Sequence, residues 1–301
     1  MAKKSQFTEF DDNVTLGKKG EVVYALGGND TVNGGIGDDT IYGDAGDDTI
    51  TPGTGNDLAY GGEGNDIVKD GLGNDSLFGD AGDDVFLAGD GTNVYNGGLG
   101  VDTVDFTPFL STAQPLYVNL QSGYAVDAPG FEIGITPQLG NGEFFNDTLI
   151  GIENVSGSLV VPNVLIGSNA DNTLIGGDHN DWIEGDAGND VIRAGAGDDI
   201  VRGGPGGDSL FGGAGDDTFL FYASDGGSFH EVQDYRGGED RFYFVDATNI
   251  SGLTSNGVSG GTEYTFNVTF TNGDTENYAV LSLDNSLTVV LSPLPPQYDL
   301  A

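Results

Sequence analysis

The chain has 301 residues, of which 48 are acidic and 9 basic, giving a formal charge of −39; 53 are glycine and 37% are hydrophobic. So acidic a chain repels phosphate backbones and anionic headgroups, which excludes nucleic acid and anionic membranes as partners, while the hydrophobic share supplies a core and argues against plain disorder. What the charge attracts is cations.

In chain order, the start MAKKSQFTEFDDN has no apolar run and does not read as a secretory signal peptide. Residues 1–24 read as degenerate capping turns, which a solenoid needs at its end: Asp12 and Val14, then Glu21 and Val23, stand at the sixth and eighth places of a nine-residue frame. From 25 to 105 the frame is explicit, nine units without a gap, among them ALGGNDTVN, GGIGDDTIY, GDAGDDTIT and GGEGNDIVK. Residues 106–166 lose it but keep strand-like alternation in PLYVNLQSGYAV and NDTLIGIENVSGSLVVPNVLIG, which predicts a degenerate β-coil carrying a loop near Pro129 to Gly142. Six further units fill 167–220. After Leu220 the frame stops, and FHEVQDYRGGEDRFYF, GTEYTFNVTFTNGDTENYAVLSL and NSLTVVL read as antiparallel strands, with Asn272-Gly273 a hairpin turn. Residues 221–301 are thus expected as a β cap. No stretch approaches the ~18 apolar residues of a membrane-crossing helix, so no transmembrane segment is expected.

Over the fifteen units the fourth place is Gly thirteen times, the sixth is Asp thirteen times, and the eighth is always apolar. Glycines in the first four places permit a tight turn; the last three alternate like a short strand. One apolar residue per turn cannot bury itself, so the turns must stack and seal a shared core. Stacking brings equivalent carboxylates to roughly 5 Å, where each like pair repels by about 1 kcal/mol even at the dielectric of water. The repeats carry 28 acidic residues against Lys69, Arg193 and Arg202, so 25 of the 39 excess negative charges lie in them. A hard divalent cation removes the repulsion, and a donor set of carboxylate and turn-carbonyl oxygens favours calcium over zinc or magnesium. Roughly one ion per stacked pair gives about 11.

These units resemble the GGxGxDxUx nonapeptide of the RTX (repeats-in-toxin, hemolysin-type calcium-binding) family. The resemblance implies an all-β fold, a right-handed parallel β-roll in two blocks with two nonapeptides per coil, closed by the C-terminal antiparallel β cap. It implies as calcium ligands the carboxylates of Asp30, Asp39, Asp48, Asp57, Asp66, Asp75, Asp84 and Asp102, then of Asp181, Asp190, Asp199, Asp208 and Asp217. Carbonyls at the second and fourth places, such as those of Gly35, Gly37, Gly62 and Gly64, are the implied backbone donors. Asn93 and Asn172 at sixth places, Pro52 at a first place and His179 at a fourth mark weakened or missing ions. It further implies that the C-terminal region doubles as an uncleaved type I secretion signal, the alternative being a cap alone.

No catalytic constellation is found. There is no cysteine and no HExxH among the two histidines, His179 and His230, and the GxSxG at 257–261 around Ser259 lacks a following helix. The expected function is a secreted calcium-binding structural protein, not an enzyme, folding outside the cell in a surface layer, matrix or adhesion. The alternatives are an accessory module of a secreted enzyme, or an enzyme with its site in 106–166 or 221–301; a pore-forming toxin is disfavoured, since no apolar segment precedes the repeats. If two units make a coil, the ninth-place Tyr42, Tyr60 and Phe78 share one face, against Asn33, Thr51, Lys69, Leu87 and Asp105 on the other. Such a ring stripe is either covered by other parts of the chain or a face for self-association into an oligomer or lattice.

Overall fold

Because no unit can close a core alone, strands of alternate units stack on one another. In the computed structural model, which describes residues 4–17, 20–108, 115–127, 146–225, 229–236, 240–245, 247–258, 261–270, 275–282 and 289–290, strands dominate. Ladder partners are parallel and stand two nonapeptides apart in the chain: Ile41 pairs with Ala59, Ala59 with Leu77, and Leu77 with Tyr95. On the opposite wall Val32 pairs with Ile50, Ile50 with Val68, Val68 with Phe86, and Phe86 with Val104. Two nonapeptides therefore make one coil, and the fold is the all-β parallel roll. The turn Ala223–Asp225 is the one helical element among the described residues, none of which forms a helix long and apolar enough to cross a membrane.

The chain divides into two compact units, Met1–Ser111 with Ser122–Asp127 and Asn141–Ser158, and Thr112–Gln121 with Ala128–Gly140 and Leu159–Ala301. In the first, the degenerate N-terminal turns join the roll: Val22–Tyr24 pairs with Thr40–Ala45, and Asn13–Thr15 with Thr31–Asn33. At its other end Asn146–Ile150 pairs with Val94–Leu99, and Asn154–Ser156 with Thr103–Asp105, so part of 106–166 completes the same coils. Tyr124–Asp127 adds an antiparallel strand to Asn146–Ile150. The expected loop near Pro129 to Gly142 lies outside the described residues.

In the second unit Asn163–Ser168 pairs with Trp182–Asp186, and Thr173–Gly177 with Val191–Ala196, with the same two-nonapeptide offset. The parallel roll does not stop at Leu220. Phe229–Tyr235 pairs in parallel with Ser209–Ala214, and Arg241–Val245 with Thr218–Tyr222. Ser209 now stands opposite Glu231, and Phe219 opposite Phe242. Both offsets exceed two nonapeptides, so longer turns hide a continuing coil. The antiparallel cap begins later, with Ala247–Val258, Gly261–Phe270 and Thr275–Ser282. Asn272-Gly273 and Ser259 lie outside the described residues, although Thr269 and Thr275 on either side of the former are paired.

All fifteen eighth-place side chains, from Val32 to Phe219, are fully buried. Where the coils lengthen, rings replace aliphatic residues: Phe219, Phe221, Tyr235, Phe242 and Phe244 pack with centroids 4.7–6.2 Å apart. Where the fourth place is glycine, the turn leaves little room for a side chain. Gly73 has φ +144°, and a β-carbon there would collide with the Gly55 carbonyl oxygen one coil away, whereas a β-carbon at Gly17 would find only the tip of Glu21 at 3.8 Å. Gly73→Ala is therefore expected to cost more than about 1 kcal/mol and lower the melting temperature, with Gly17→Ala within about 0.5 kcal/mol of wild type. Equal melting temperatures for the two variants would contradict this packing.

Candidate metal centre

The sixth-place aspartates form rows because the roll repeats their backbone every coil. In each, Oδ1 accepts the N–H of the sixth-place residue one coil earlier: Asp30 to Asp48 at 2.7 Å, Asp48 to Asp66 at 2.7 Å, Asp66 to Asp84 at 2.8 Å and Asp84 to Asp102 at 2.8 Å. The other wall runs Asp39 to Asp57 and Asp57 to Asp75, both at 2.7 Å. In the second unit Asp181 donates to Asp199 at 2.8 Å, Asp199 to Asp217 at 3.0 Å and Asp190 to Asp208 at 2.9 Å. Asp12 and Glu21, read as worn turns, donate into these rows at 2.6 Å. The backbone N–H of Asn172 likewise donates to Asp190 at 2.8 Å, and Asn93 Oδ1 accepts the Asp75 N–H at 2.9 Å, so an Asn at this place can keep the ladder.

The rows extend beyond the frame. Asp147 accepts from Asn93 at 2.7 Å, Glu153 from Asp102 at 2.9 Å and Asp240 from Asp217 at 3.1 Å. Sequence reasoning missed these three. The available signal was an acid followed two residues later by an apolar residue, as in Asp147–Leu149, Glu153–Val155 and Asp240–Phe242, the sixth-to-eighth spacing of the repeat with its glycines worn away. It also missed the fifth place, which is Asp or Asn in twelve of fifteen units. There the side chain accepts the fifth-place N–H one coil later, in the opposite sense: Asn56 donates to Asp38, Asn65 to Asp47 and Asn74 to Asn56, all at 2.9 Å and all exposed.

With Oδ1 engaged, the second carboxylate oxygen is the chemically important one. Oδ2 of twelve of the thirteen predicted ligands is buried without a hydrogen-bond partner: Asp30, Asp39, Asp48, Asp57, Asp66, Asp75, Asp84, Asp102, Asp181, Asp190, Asp199 and Asp217. The thirteenth, Asp208, has His230 Nδ1 at 3.0 Å, both side chains fully buried. A cradle surrounds the bare oxygen. A β-carbon at first-place Gly43 would fill the space between Asp48 Oδ2 and the Gly61 carbonyl oxygen, and Gly61 stands in the same way between Asp66 and Gly79, as does Gly79 between Asp84 and Gly97. The Gly35 carbonyl, by contrast, accepts the Thr54 N–H at 3.0 Å, so the first-place carbonyl is the one that shares the cradle. Pro52 keeps its carbonyl beside Asp39 in the Gly34 cradle. No three carboxylate or imidazole side chains converge among the described residues, so backbone oxygens must complete any site.

Burial and neighbouring carboxylates push these acids up. Asp48, Asp84, Asp181, Asp199 and Asp217 rise from 3.8 to about 7, Asp57 and Asp66 to about 6, and Asp190 to about 8, with desolvation the largest cause in each. A buried, bare carboxylate oxygen beside a carbonyl, in a space that only glycine leaves open, fits a hard cation that takes oxygen ligands.

The fold and its rows define a parallel β-roll. Residues 24–104 and 162–219 match the RTX calcium-binding nonapeptide repeat in successive overlapping segments, and these two blocks belong to that family, whose repeats bind calcium. No curated protein matches the chain. Among solved structures it is similar to that of the extracellular lipase LipA from Serratia marcescens, with 19% identity, covering 79% of this chain and 40% of the lipase, at a TM-score of 0.26. The chain thus spans well under half of that lipase.

The raised acids fix a pH dependence. For a carboxyl whose folded value exceeds its unfolded one, the contribution to stability is complete below the unfolded value, 3.8, and is lost as pH rises through the folded value, here about 6 to 8. Without metal, acidification from pH 8 to pH 5 should increase strand content by circular dichroism. With calcium the sign reverses, because protons compete for the same oxygens, so the calcium midpoint should rise as pH falls. A chelated sample with flat strand content over this range contradicts the burial of ionisable rows.

Proposed function

We propose that this chain is a secreted calcium-binding structural protein that folds on calcium outside the cell and serves in a surface layer, extracellular matrix or adhesion, carrying out no reaction itself. The observation that carries the reading is the set of buried carboxylates with one oxygen bare. Oδ2 of the sixth-place aspartates and first-place carbonyls would hold the ions, about 11 at roughly one per stacked pair, with Gly37, Gly62 and Gly64 as further backbone donors; the Gly35 carbonyl, already accepting from Thr54, is not among them. Asp208, engaged by His230, is the weakest of the set. Calcium bound at such sites supplies positive charge between coils; the chain's part is to orient the carboxylates through their Oδ1 hydrogen bonds and to exclude water.

Extracellular calcium modules bind at about 10⁻⁴ to 10⁻³ M. In calcium-poor cytosol the rows then oppose folding, and export precedes it, which suits the type I route without a cleaved N-terminal signal. The two histidines do not suggest a base: His230 is buried against Asp208 and Phe221, and His179 occupies a turn.

Self-association follows the ring stripe. Tyr24, Tyr42, Tyr60 and Phe78 stack with centroids 4.7–4.9 Å apart and planes within 16°, so each ring face covers the next and only the edges stay accessible. In this reading those edges form the strip along which copies align once calcium screens their charge.

Strand content should collapse in chelator and return steeply with calcium, and a spectrum unchanged by chelation sinks the calcium reading. Asp57→Ala and Asp66→Ala should raise the calcium midpoint severalfold, and Asn65→Ala, at an exposed fifth place, much less; equal shifts would show that the sixth-place carboxylates are not ligands. Light scattering in saturating calcium should detect assemblies for the wild type and fewer for Tyr42→Ser/Tyr60→Ser. A wild type that stays monomeric at every concentration removes self-association.

A further inference from the structure

Three departures from the repeat meet at one place in the first unit. Asp70 stands where a first-place glycine is usual, Asn93 replaces a sixth-place Asp in the next coil of the same wall, and Tyr95 is the single eighth-place residue with a polar group. The structure joins them. Asp70 Oδ2 accepts from Tyr95 Oη at 2.6 Å, from Asn93 Nδ2 at 2.7 Å and from the Gly89 N–H at 3.1 Å, and its Oδ1 accepts the Gly71 N–H at 2.8 Å. We propose that Asp70, Asn93 and Tyr95 form a built-in staple that takes the place of a calcium ion between the coils at 70–78 and 88–96.

Each member has a reason tied to the others. The side chain of Asp70 starts from the β-carbon position that glycine leaves empty in the cradles at Gly43, Gly61 and Gly79, so it enters the space that elsewhere faces a bare carboxylate oxygen. Asn93 Oδ1 still accepts the Asp75 N–H at 2.9 Å, keeping the row intact, while its Nδ2 presents a donor where an Asp would present a second oxygen. An Asp at 93 would set two carboxylates at that 2.7 Å contact. Tyr95, fully buried, needs an acceptor for its hydroxyl and finds it in Asp70.

A second carboxylate beside Asp75 would ordinarily strengthen a cation site. Here Oδ2 of Asp70 takes three donors, from Tyr95, Asn93 and Gly89, which saturates the two lone pairs of the oxygen turned toward the next coil, while Oδ1 takes the Gly71 N–H. The staple crosses from one coil to the next, as an ion would, but its donors belong to the chain and its strength does not depend on free calcium.

The inference rests on calcium filling the other coils, and the experiment separates the two. Anomalous scattering from calcium-loaded crystals of the full chain should show ions at the Asp48, Asp66 and Asp84 cradles and none coordinated by Asp70. The variant Asp70→Gly/Asn93→Asp/Tyr95→Phe, which restores the repeat, should bind one more calcium per chain than wild type by equilibrium dialysis. An ion coordinated by Asp70 in the wild type, or a folded triple variant with an unchanged ion count, overturns the staple while leaving the calcium reading standing. If the triple variant does not fold, the wild-type anomalous map decides alone. Absence of ions from every cradle overturns the calcium reading, and the staple as an ion's substitute falls with it.

Discussion

Everything in this molecule depends on burying rows of like charges one strand spacing apart. Each coil takes a carboxylate out of water and sets it near the equivalent carboxylate of the next, and a buried charge left without a partner is among the most destabilising features a protein can carry. The backbone answers half of the problem through the Oδ1 hydrogen bond, as from Asp48 to Asp66. The bare Oδ2 is the other half. Glycine at the first place and aspartate at the sixth are therefore one device: the missing side chain at Gly43 keeps open the space that the carboxylate of Asp48 faces.

The two Asx ladders give the stack a direction. Inner carboxylates reach back toward the preceding coil, whose sixth-place amide they accept; outer side chains reach forward to the fifth-place amide of the following one. A coil at either end of a stack thus lacks one of its two partners. Residues outside the repeat frame fill those places: Asp11 accepts from Asn29 at 2.9 Å at the N-terminal end, and Asp240 from Asp217 at 3.1 Å at the C-terminal end of the second unit. Since each coil bonds only to its neighbours, stability accumulates along the stack, as in other solenoids.

How much of this the sequence made legible follows from the regularity of its turns. Where the nonapeptide repeats, the pairing partner, the buried side chain and the face of every outward residue could be read in advance, and the fully buried Val32, Ile50, Val68 and Phe86 sit as the frame requires. Where the turns lengthen, the period disappears although the coil does not. Phe229–Tyr235 and Arg241–Val245 continue the roll at offsets longer than two nonapeptides, and the segment read as the start of an antiparallel cap carries the rings that close the end of that core. The carboxylate rows were legible through Asp at the sixth place, but not their second function as acceptors of backbone amides, because a charge pattern does not reveal which oxygen is already engaged. The fifth-place ladder was visible as composition and invisible as structure for the same reason.

A near-perfect repeat carries its own hazard, which is slippage. A shift by one nonapeptide preserves the glycines, the aspartates and the apolar core positions, so the repeat frame alone discriminates poorly between registers. Side chains outside the consensus supply the discrimination. A slip of one nonapeptide would set Tyr42 and Tyr60 beside Thr51 and Lys69 and break stacks whose 4.7–4.9 Å spacing matches the strand separation. A slip by a whole coil would keep most of the rings paired, yet it would carry Asp70 away from Asn93 and Tyr95, leaving a phenol and an amide without their acceptor in the interior. The ring ladder therefore fixes which wall is which, and the Asp70 cluster fixes which coil is which. The residues that depart from the consensus are thus the ones that make an otherwise degenerate stack fold in one register.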